Sequence, residues 1–263
     1  MTFDASTANA ARIYDFFLGG KDNFTADREA AQKMLAALPG TADACRDNRD
    51  FLRRAVRFLA GEAGIQQFLD IGTGLPTMGN VHEVAQGIRP GTRVAYVDYD
   101  PLVLSYARAL LATNPDVTVV EGDLRSPDAI LADAGLRDFI DFRRPVALLL
   151  VAVLHFVPDS DQPHKAVQAL AQALPPGSYL ALTHSTPDDV PREVAEAMIG
   201  AYANASAQVT PRPFADVARF FDGLELVDPG VVNATLWRPD LPPSRPPGTP
   251  GQSLVYGGVA VKH

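Results

Sequence analysis

The chain has 263 residues, 47% of them hydrophobic, and a formal net charge of −8 at pH 7. A chain of this length can bury one sizeable core, so we predict a single domain over residues 1–263. Because nucleic-acid binding draws most of its affinity from Lys and Arg that neutralise phosphates, the acidic balance argues against DNA or RNA as a partner.

The single cysteine and the N-terminal residues bear on the cellular compartment. Cys45 cannot form an internal disulfide and has no His or Cys at a metal-ligand spacing, so we predict no metal site. The start, MTFDASTANAAR, lacks the basic residues and apolar run of a signal peptide. The longest apolar stretch, residues 146–154, is shorter than the roughly 20 residues that cross a bilayer. We therefore expect a cytoplasmic protein with no membrane partner.

Helical patterns occupy the first part of the chain. Apolar spacing followed by glycine or proline stop signals predicts helices over Ala8–Leu18, Thr25–Leu38 and Asp43–Ala60. We expect this N-terminal helical segment, residues 1–62, to form a lid over a core made of residues 63–263.

After Gly64 the pattern alternates between short β-type runs and helices. The predicted strands are Gln67–Ile71, Arg93–Asp98, Val117–Glu121, Val146–Val151 and Ser178–His184. The predicted helices between them are Asn80–Gln86, Pro101–Leu111, Pro127–Ala132 and Pro163–Ala173. This alternation is typical of a parallel sheet covered on both faces, so the predicted fold class is α/β.

The end of the chain follows another pattern. Two helices are predicted, at Pro191–Ala207 and Pro213–Phe221. Three β-type runs that resemble an antiparallel edge follow them, at Leu224–Val227, Val231–Trp237 and Leu254–Lys262. The segment RPDLPPSRPPGTPGQ, between the last two runs, is too rich in Pro and Gly to be regular. We predict a long surface loop there, with a proline-motif ligand as the alternative.

The sequence FLDIGTGLPT, residues 68–77, places a glycine loop directly after a buried strand. Ligands of open α/β sheets bind beyond the carboxyl ends of the strands, and Gly72 and Gly74 let a ligand approach the backbone closely. Phosphate fits poorly, because Asp70 precedes the loop, Pro76 removes an N–H and the third glycine of the dinucleotide motif is missing. S-adenosylmethionine, which carries an ammonium and a sulfonium but no phosphate, fits better.

Two further acidic residues end neighbouring strands. Asp98, in VAYVDYDP, is placed to accept hydrogen bonds from ribose hydroxyls, whereas Asp100 is better explained as a helix cap. Asp123, in VVEGDLRSP, offers an acceptor for an adenine amino group beside the apolar Leu124. The alternative is that Asp123 is only a turn residue after Gly122.

Taken in order, these motifs resemble those of a known enzyme class. FLDIGTG, YVDYDP, EGDLRSP, LLLVAVLHFVPD, PGSYLALTH and DGLELVDPGVV resemble the class I S-adenosylmethionine-dependent methyltransferases. With ARIYDFFLGGKDNFTADREAA added, the chain resembles over essentially its whole length the actinobacterial S-adenosyl methyltransferase family formerly catalogued as a domain of unknown function. The resemblance implies a Rossmann-like sheet of seven strands, order 3-2-1-4-5-7-6, with strand 7 antiparallel.

The resemblance also implies which residues bind S-adenosylmethionine. The methionine-end loop comprises Asp70, Gly72, Thr73 and Gly74, and the ribose site comprises Asp98 and Tyr99. The adenine pocket comprises Asp123 and Leu124. The segment after strand four, Val151, Ala152 and Val153, lines the methyl-transfer side. The Asp/Asn-Pro-Pro-aromatic motif of many amino-group methyltransferases is missing after strand four. Exocyclic-amine and glutamine methylation are therefore less expected.

The segment IYDFFLGGKDNF is the predicted lid over the cofactor. We expect Tyr14, Lys21 and Asn23 to face the ligand. Lys21 would pair with the methionine carboxylate, and Tyr14 would present its π-face to the sulfonium. The alternative is structural: Tyr14 and Phe17 dock the lid, and Lys21 caps a helix end.

His155 is the predicted general base, because it follows strand four and histidine accepts protons near neutral pH. The alternative is that it only hydrogen-bonds the pocket rim, and His184 is a weaker candidate. The predicted function is methyl transfer from S-adenosylmethionine to a small-molecule acceptor, with oxygen methylation favoured. The alternatives are a non-catalytic sensor of S-adenosylmethionine or S-adenosylhomocysteine, and a nucleotide-dependent reductase.

Overall fold

Helices and strands alternate through the computed structural model, which describes residues 5–76, 79–111, 114–188, 190–201, 208–240 and 254–263. The helices are α1 (Ala10–Phe17), α2 (Thr25–Ala37), α3 (Thr41–Arg57), α4 (Val81–Ile88), α5 (Pro101–Leu111), α6 (Pro127–Ala132), α7 (Ala134–Phe139), α8 (Pro163–Ala173), α9 (Arg192–Ala201) and α10 (Phe214–Ala218). The strands are β1 (Gln67–Ile71), β2 (Arg93–Asp98), β3 (Val117–Glu121), β4 (Ala147–Leu150), β5 (Tyr179–Ser185), β6 (Glu225–Leu226), β7 (Val232–Asn233) and β8 (Val255–Val261).

The strands form one sheet whose order is β3-β2-β1-β4-β5-β8-β6, with β7 paired to β8. Strands β1 to β5 are parallel, and β8 runs antiparallel to β5. The predicted order 3-2-1-4-5-7-6 is confirmed, with β8 in the place of the seventh strand. The predicted count of seven is wrong, because the described residues contain eight strands. The run predicted at 231–237 contributes only the two-residue β7 before the chain turns at Ala234–Leu236.

Continuous apolar strands make the centre of the sheet. Every residue of β1 and β4 is buried, because helices cover both faces. Successive side chains alternate between the faces, so Phe68 belongs to one hydrophobic cluster and Leu69 and Ile71 to the other. The carboxyl ends of five parallel strands therefore meet at one edge of the sheet.

Helix α3 belongs to one of the layers that cover the sheet. Its buried residues Phe51 and Leu52 share a cluster with Phe68 of β1. Close approach depends on Gly257 of β8, where a Cβ would lie 2.8 Å from the Phe51 ring. Helices α1 and α2 instead bury a small cluster of their own, made of Ile13, Phe17, Ala31 and Met34. The segment predicted as a lid thus divides between an α1–α2 pair and a sheet-covering helix.

A buried ion pair joins α1 to α2. Arg12 lies 2.8 Å from the carboxylate of Asp27, and both side chains are almost fully buried. Asp27 also accepts hydrogen bonds from the backbone N–H groups of Phe24 and Asn9, at 2.8 and 2.9 Å. These contacts satisfy a charge that would otherwise be costly to bury, and they make the two helices one unit.

Two predicted segments fall largely outside the described residues. These are the proline-rich loop, of which 241–252 are not described, and the end of the helix predicted at 191–207. Within the described ranges, no helix combines the length and the apolar character that a bilayer span requires.

Candidate ligand-binding site

A cavity of about 520 Å³ lies where the carboxyl edge of the sheet meets α1 and α3. Its lining runs from Asp123, which follows β3, to Val255 at the start of β8. Five spacings between adjacent strands separate β3 from β8 in the sheet. At ~4.8 Å for each spacing, the cavity crosses roughly 24 Å of the sheet. Its volume is in the range that holds small-molecule ligands.

The glycine loop after β1 closes tightly against its neighbours. Gly72 has a φ of 77°, and its N–H donates to the carbonyl of Val97 at 2.8 Å. A Cβ at Gly72 would lie 2.3 Å from the side chain of Val153, so only glycine fits. Gly74 has a φ of 65°, and its N–H donates to Oδ2 of Asp98 at 2.9 Å. The loop therefore presents its backbone directly to the cavity.

Two buried carboxylates lie beside this loop. Asp70 is 7% exposed and Asp98 is 8% exposed, and neither forms an ion pair within the part of the chain that the structure describes. Burial raises the pKa of Asp70 to about 7, against the opposing charge of Arg49. Burial also raises the pKa of Asp98, although its oxygens accept hydrogen bonds from the N–H groups of Asp100 and Gly74. A cationic ligand would relieve the cost of burying these charges.

Arg49 of α3 adds a positive group next to Asp70. Its Nε is buried and has no hydrogen-bond partner among the described residues. Its Nη2 lies 3.4 Å from Oδ1 of Asn80, which is a long contact. A guanidinium with a free N–H beside an unpaired carboxylate suits a zwitterion such as the amino-acid end of a ligand.

Asp123 lines the cavity and is also hydrogen-bonded to Arg125, two residues further along the same turn. Its Oδ1 accepts hydrogen bonds from the backbone N–H and the Nε of Arg125, both at 2.9 Å. The guanidinium lowers the pKa of the Asp123 carboxyl, although partial burial opposes this. Arg125 also lies 5.5 Å above the ring of Tyr99, and the buried Leu124 forms the adjacent wall. This end of the cavity offers a flat apolar surface with polar groups at its edge.

A chain of hydrogen bonds connects α1 and α3 to the strand ends. The hydroxyl of Tyr14 donates to the carbonyl of Cys45 at 3.0 Å and accepts from the amide of Asn48 at 2.8 Å. The hydroxyl of Thr183 donates to Oδ1 of Asn48 at 2.6 Å and accepts from the N–H of Ala152 at 2.8 Å. Ala152 has a φ of 56°, which is unusual for a residue other than glycine.

His155 follows β4 and lines the part of the cavity beyond the glycine loop. Its Nδ1 is buried and has no hydrogen-bond partner in the described ranges. Its ring packs against Phe156, with ring centres 4.4 Å apart, and edge-on against His184 at 5.7 Å. Burial lowers the pKa of His155 well below its usual value, and the neighbouring cation of Arg212 acts in the same direction. The imidazole is therefore neutral at pH 7.

Arg212 fixes the loop that carries His155. All five of its N–H groups are used, and they donate to the carbonyls of Leu154 and Val157, to Asp159 and to Nε2 of His184. A buried guanidinium satisfied in this way orders both the segment after β4 and the end of β5.

Most of the predicted site residues line this one cavity. They are Tyr14, Asp70, Gly72, Thr73, Gly74, Asp98, Tyr99, Asp123, Leu124, Val151, Ala152, Val153 and His155. Lys21 and Asn23, expected to face the ligand, do not line it. Lys21 is exposed after α1, and the amide of Asn23 donates to Oδ2 of Asp15 and to the carbonyl of Gly20, at 2.9 and 3.1 Å.

Sequence reasoning missed other residues of the cavity or its support. They are Asn9, Asn48, Arg49, Ser185 and Arg212. Asn48 gave a usable signal, because it is a polar residue on the apolar stripe that continues through Phe51, Leu52 and Ala55. In the described ranges, no group of three or more His, Cys, Asp or Glu side chains could hold a metal ion.

Comparisons with known proteins give one matching family model and two similar solved structures. The family model described as S-adenosyl methyltransferase matches residues 1–263. A DUF574 family protein from Streptomyces avermitilis is 44% identical, with a TM-score of 0.93 and coverage of 99% of both chains. A provisionally named methyltransferase from Thermobifida fusca is also 44% identical, with a TM-score of 0.91 and coverage of 98% of this chain and 96% of that one.

A more distant structure shares the fold alone. The N-methyltransferase NodS from Bradyrhizobium japonicum is 12% identical, with a TM-score of 0.50 over 85% of this chain and 98% of that one. Among curated proteins, no match to the chain was found.

Proposed function

This chain belongs to the S-adenosyl methyltransferase family, and from that premise we propose that it methylates a small molecule bound in the same cavity as the cofactor. The protein is thus an S-adenosylmethionine-dependent methyltransferase with a Rossmann-like sheet. The observation that carries the small-molecule proposal is the single cavity that crosses the sheet from Asp123 to Val255. It extends beyond the acidic positions over β1, β2 and β3 that suit the cofactor.

The cofactor half would lie over β1, β2 and β3. Here Asp98 would accept the ribose hydroxyls, and Asp123 with Leu124 and Tyr99 would border the adenine. The fit is supported by the buried carboxylates, which form no ion pair among the described residues, and by the backbone of Gly72 and Gly74, which lines the cavity. The backbone bonds from Gly74 and Asp100 leave each Asp98 oxygen a further lone pair for a ligand.

The amino-acid end would be held by Asp70 and Arg49, with the ring of Tyr14 nearby. Asp70 would pair with the ammonium, and the free N–H of Arg49 would donate to the carboxylate. Arg49 thereby takes the role that the sequence suggested for Lys21. The hydroxyl of Tyr14 is already used by Asn48 and Cys45, so only its ring is available to the ligand.

The chain's remaining task is alignment and the exclusion of water. S-adenosylmethionine supplies a methyl group on a positively charged sulfur, and no metal is required for that chemistry. Val151, Ala152 and Val153 would border the reacting centre, and the hydrogen-bond chain through Thr183 fixes their backbone. His155, neutral at pH 7, would take a proton from an acceptor that has to lose one.

The non-catalytic sensor is not supported as an alternative. The matching family is described by its transferase activity. The cavity also continues over β4, β5 and β8. A sensor that binds only the adenosyl ligand would not need this additional space.

The test is a calorimetric titration with S-adenosylmethionine, S-adenosylhomocysteine and NADH. We expect micromolar binding of both adenosyl ligands, roughly −8 kcal/mol, and none of NADH. Asp98→Ala should weaken adenosyl binding at least tenfold, whereas Asp128→Ala, which removes an exposed carboxylate from α6, should leave it unchanged. Binding of NADH alone, or equal affinity of the two variants, would contradict the proposed site.

A further inference from the structure

The part of the cavity over β4, β5 and β8 has a different chemistry from the cofactor half. We call it the distal half. Its walls are mainly apolar and are formed by Leu38, Leu52, Val157, Val209, Leu254 and Val255. Five of these residues are buried, and Val255 is partly buried.

Asp161 also lines the cavity after β4, but its charge interacts with that of Arg125, towards the Asp123 end. The other titratable groups around the described distal half are neutral or fully hydrogen-bonded. Burial lowers the pKa of His184 to about 4, so it is neutral, and its Nε2 is occupied by Arg212. The five N–H groups of Arg212 are all used. Burial raises the pKa of the Cys45 thiol to about 12, so this group is neutral too. His155 is neutral for the same reason, its pKa being lowered by burial.

Two polar atoms in the distal half lack partners. Nδ1 of His155 and Oγ of Ser185 are both buried, and neither has a hydrogen-bond partner among the described residues. They come from adjacent strands, since His155 follows β4 and Ser185 is the last residue of β5. Buried polar groups are nearly always hydrogen-bonded in native proteins, so a pair of unsatisfied groups in a cavity points to a ligand that satisfies them.

We propose that the distal half binds the methyl acceptor and that this acceptor is an uncharged, largely apolar compound with a hydroxyl group. The inference rests on the proposed function. The acceptor hydroxyl donates to Nδ1 of His155, in the tautomer that carries its proton on Nε2, and accepts from the hydroxyl of Ser185. This pairing uses both buried polar atoms that lack partners and leaves the apolar body of the acceptor against the valine and leucine walls.

The reaction that follows is an oxygen methylation. The acceptor oxygen forms a bond to the methyl carbon, and the bond from that carbon to sulfur breaks with its electron pair going to sulfur. The hydroxyl proton passes to the imidazole of His155 and from there to solvent. Charge balances, because the positive charge lost at sulfur leaves as that proton.

Charged acceptors fit the distal half poorly. A carboxylate or an ammonium placed there would be removed from water with no opposite charge to pair with it. The guanidinium of Arg212 acts on His155, but all five of its N–H groups are already used. Arg49 and Asp70 lie beside the glycine loop and are proposed to hold the cofactor.

The experiment uses a matched set of one-ring probes with the protein saturated by S-adenosylhomocysteine. Phenol, toluene, benzoate and benzylammonium share one ring and differ in its single substituent, which is a hydroxyl, a methyl, a carboxylate or a charged aminomethyl group. Ligand-observed NMR reports which of them bind. We expect phenol to bind at least about tenfold more tightly than the other three. Ser185→Ala and His155→Leu should each reduce phenol binding to the level of toluene, whereas His155→Asn, which keeps a polar atom near the position of Nδ1, should retain part of it.

Affinity for S-adenosylhomocysteine, measured on the same samples, separates the two proposals. If it is intact while benzoate or benzylammonium binds as well as phenol, the acceptor class is wrong and the proposed function stands. Failure of every probe to bind, or phenol binding that both substitutions leave unchanged, also overturns the acceptor site. If the unaltered protein does not bind S-adenosylhomocysteine, the proposed function is overturned instead.

Discussion

The hydroxyl of Thr183 donates a hydrogen bond of 2.6 Å to Oδ1 of Asn48, and this bond joins the end of β5 to α3. The same hydroxyl accepts the N–H of Ala152, a residue with a φ of 56°. One buried oxygen thus connects a helix above the cavity, a strand below it and the turn that borders the methyl-transfer side.

Replacing Thr183 with Val removes this oxygen while keeping the shape of the side chain. Two buried groups, the Ala152 N–H and the Asn48 amide oxygen, then lack partners, and we expect a loss of roughly 2–4 kcal/mol in the free energy of unfolding. Urea denaturation measures it. Thr183→Ser keeps the hydroxyl and should lose clearly less; equal stabilities of the Val and Ser variants would show that the hydrogen bonds contribute little.

Asp70→Asn should stabilise the ligand-free protein. The pKa of Asp70 is about 7 in the folded chain against an ordinary value of 3.8, so the folded state holds this proton more tightly. The contribution of Asp70 to the free energy of unfolding therefore falls as pH rises from about 4 to about 7. At pH 8 we expect Asn to raise stability by on the order of 2 kcal/mol or more, while at pH 4 the variant and the parent should be alike. Thermal unfolding at both pH values tests this, and a variant that is less stable at pH 8 would contradict it.

Affinity for S-adenosylhomocysteine should depend on pH through the same carboxyl group. The ligand ammonium pairs with the ionised form, so below pH 7 binding has to release a proton. Affinity should rise up to about tenfold per pH unit towards pH 7 and then level off. Calorimetry in buffers of different ionisation enthalpy detects the released proton. In Asp70→Asn the affinity should be weaker and this pH dependence lost; an unchanged pH dependence would assign it to another group.

Gly72 and Gly74 should respond differently to alanine. A Cβ at Gly72 would lie 2.3 Å from Val153, whereas at Gly74 the nearest atom, in Ala11, is 4.0 Å away. Both variants carry the cost of a positive φ, roughly 1–2 kcal/mol, and Gly72→Ala adds a steric clash. We expect Gly72→Ala to be the less stable, and the second change Val153→Ala to recover part of its loss. No recovery would mean that the backbone conformation alone sets the requirement.

Arg49→Gln and Lys21→Ala test which basic residue holds the methionine carboxylate. Arg49 lines the cavity with a free N–H, and Lys21 is exposed outside it. We expect Arg49→Gln to weaken S-adenosylhomocysteine binding about tenfold or more and Lys21→Ala to change it less than about twofold. The Arg49 variant should lose little affinity for methylthioadenosine, which has no carboxylate. A large effect of Lys21→Ala would restore the role suggested by the sequence.

The strands of the cofactor half could be predicted from the sequence, with their bounds. Gln67–Ile71, Arg93–Asp98 and Val117–Glu121 are predicted and observed with identical limits, because each apolar run ends at a turn or an acidic residue. The strands near the C-terminus were harder to predict from the sequence. Two-residue strands such as β6 and β7 exist only through pairing with β8, and no local pattern distinguishes them from a longer run.

The predicted site residues came from motifs, and the missed ones depend on long-range contacts. Asp70 and Asp98 stand at strand ends that any parallel sheet brings together. Arg212 lies in the sequence TPRPF, with nothing to indicate that it would reach His184. Lys21 was predicted to face the ligand as part of the lid segment IYDFFLGGKDNF, but it does not line the cavity, and the chain after α1 is held by the bond that Asn23 makes to Asp15.

The α1–α2 pair buries a small cluster of its own, apart from the two clusters that hold the sheet and its covering helices together. We expect the α1–α2 pair, which also contacts α3 and α9, to open locally at a free energy below that of global unfolding. Such local opening would uncover the glycine loop, which α1 borders at Ala11, while β1 and β2 stay folded. Exchange of cofactor for product would then proceed at the rate of this local transition, without disturbing the core that keeps the carboxylates in position.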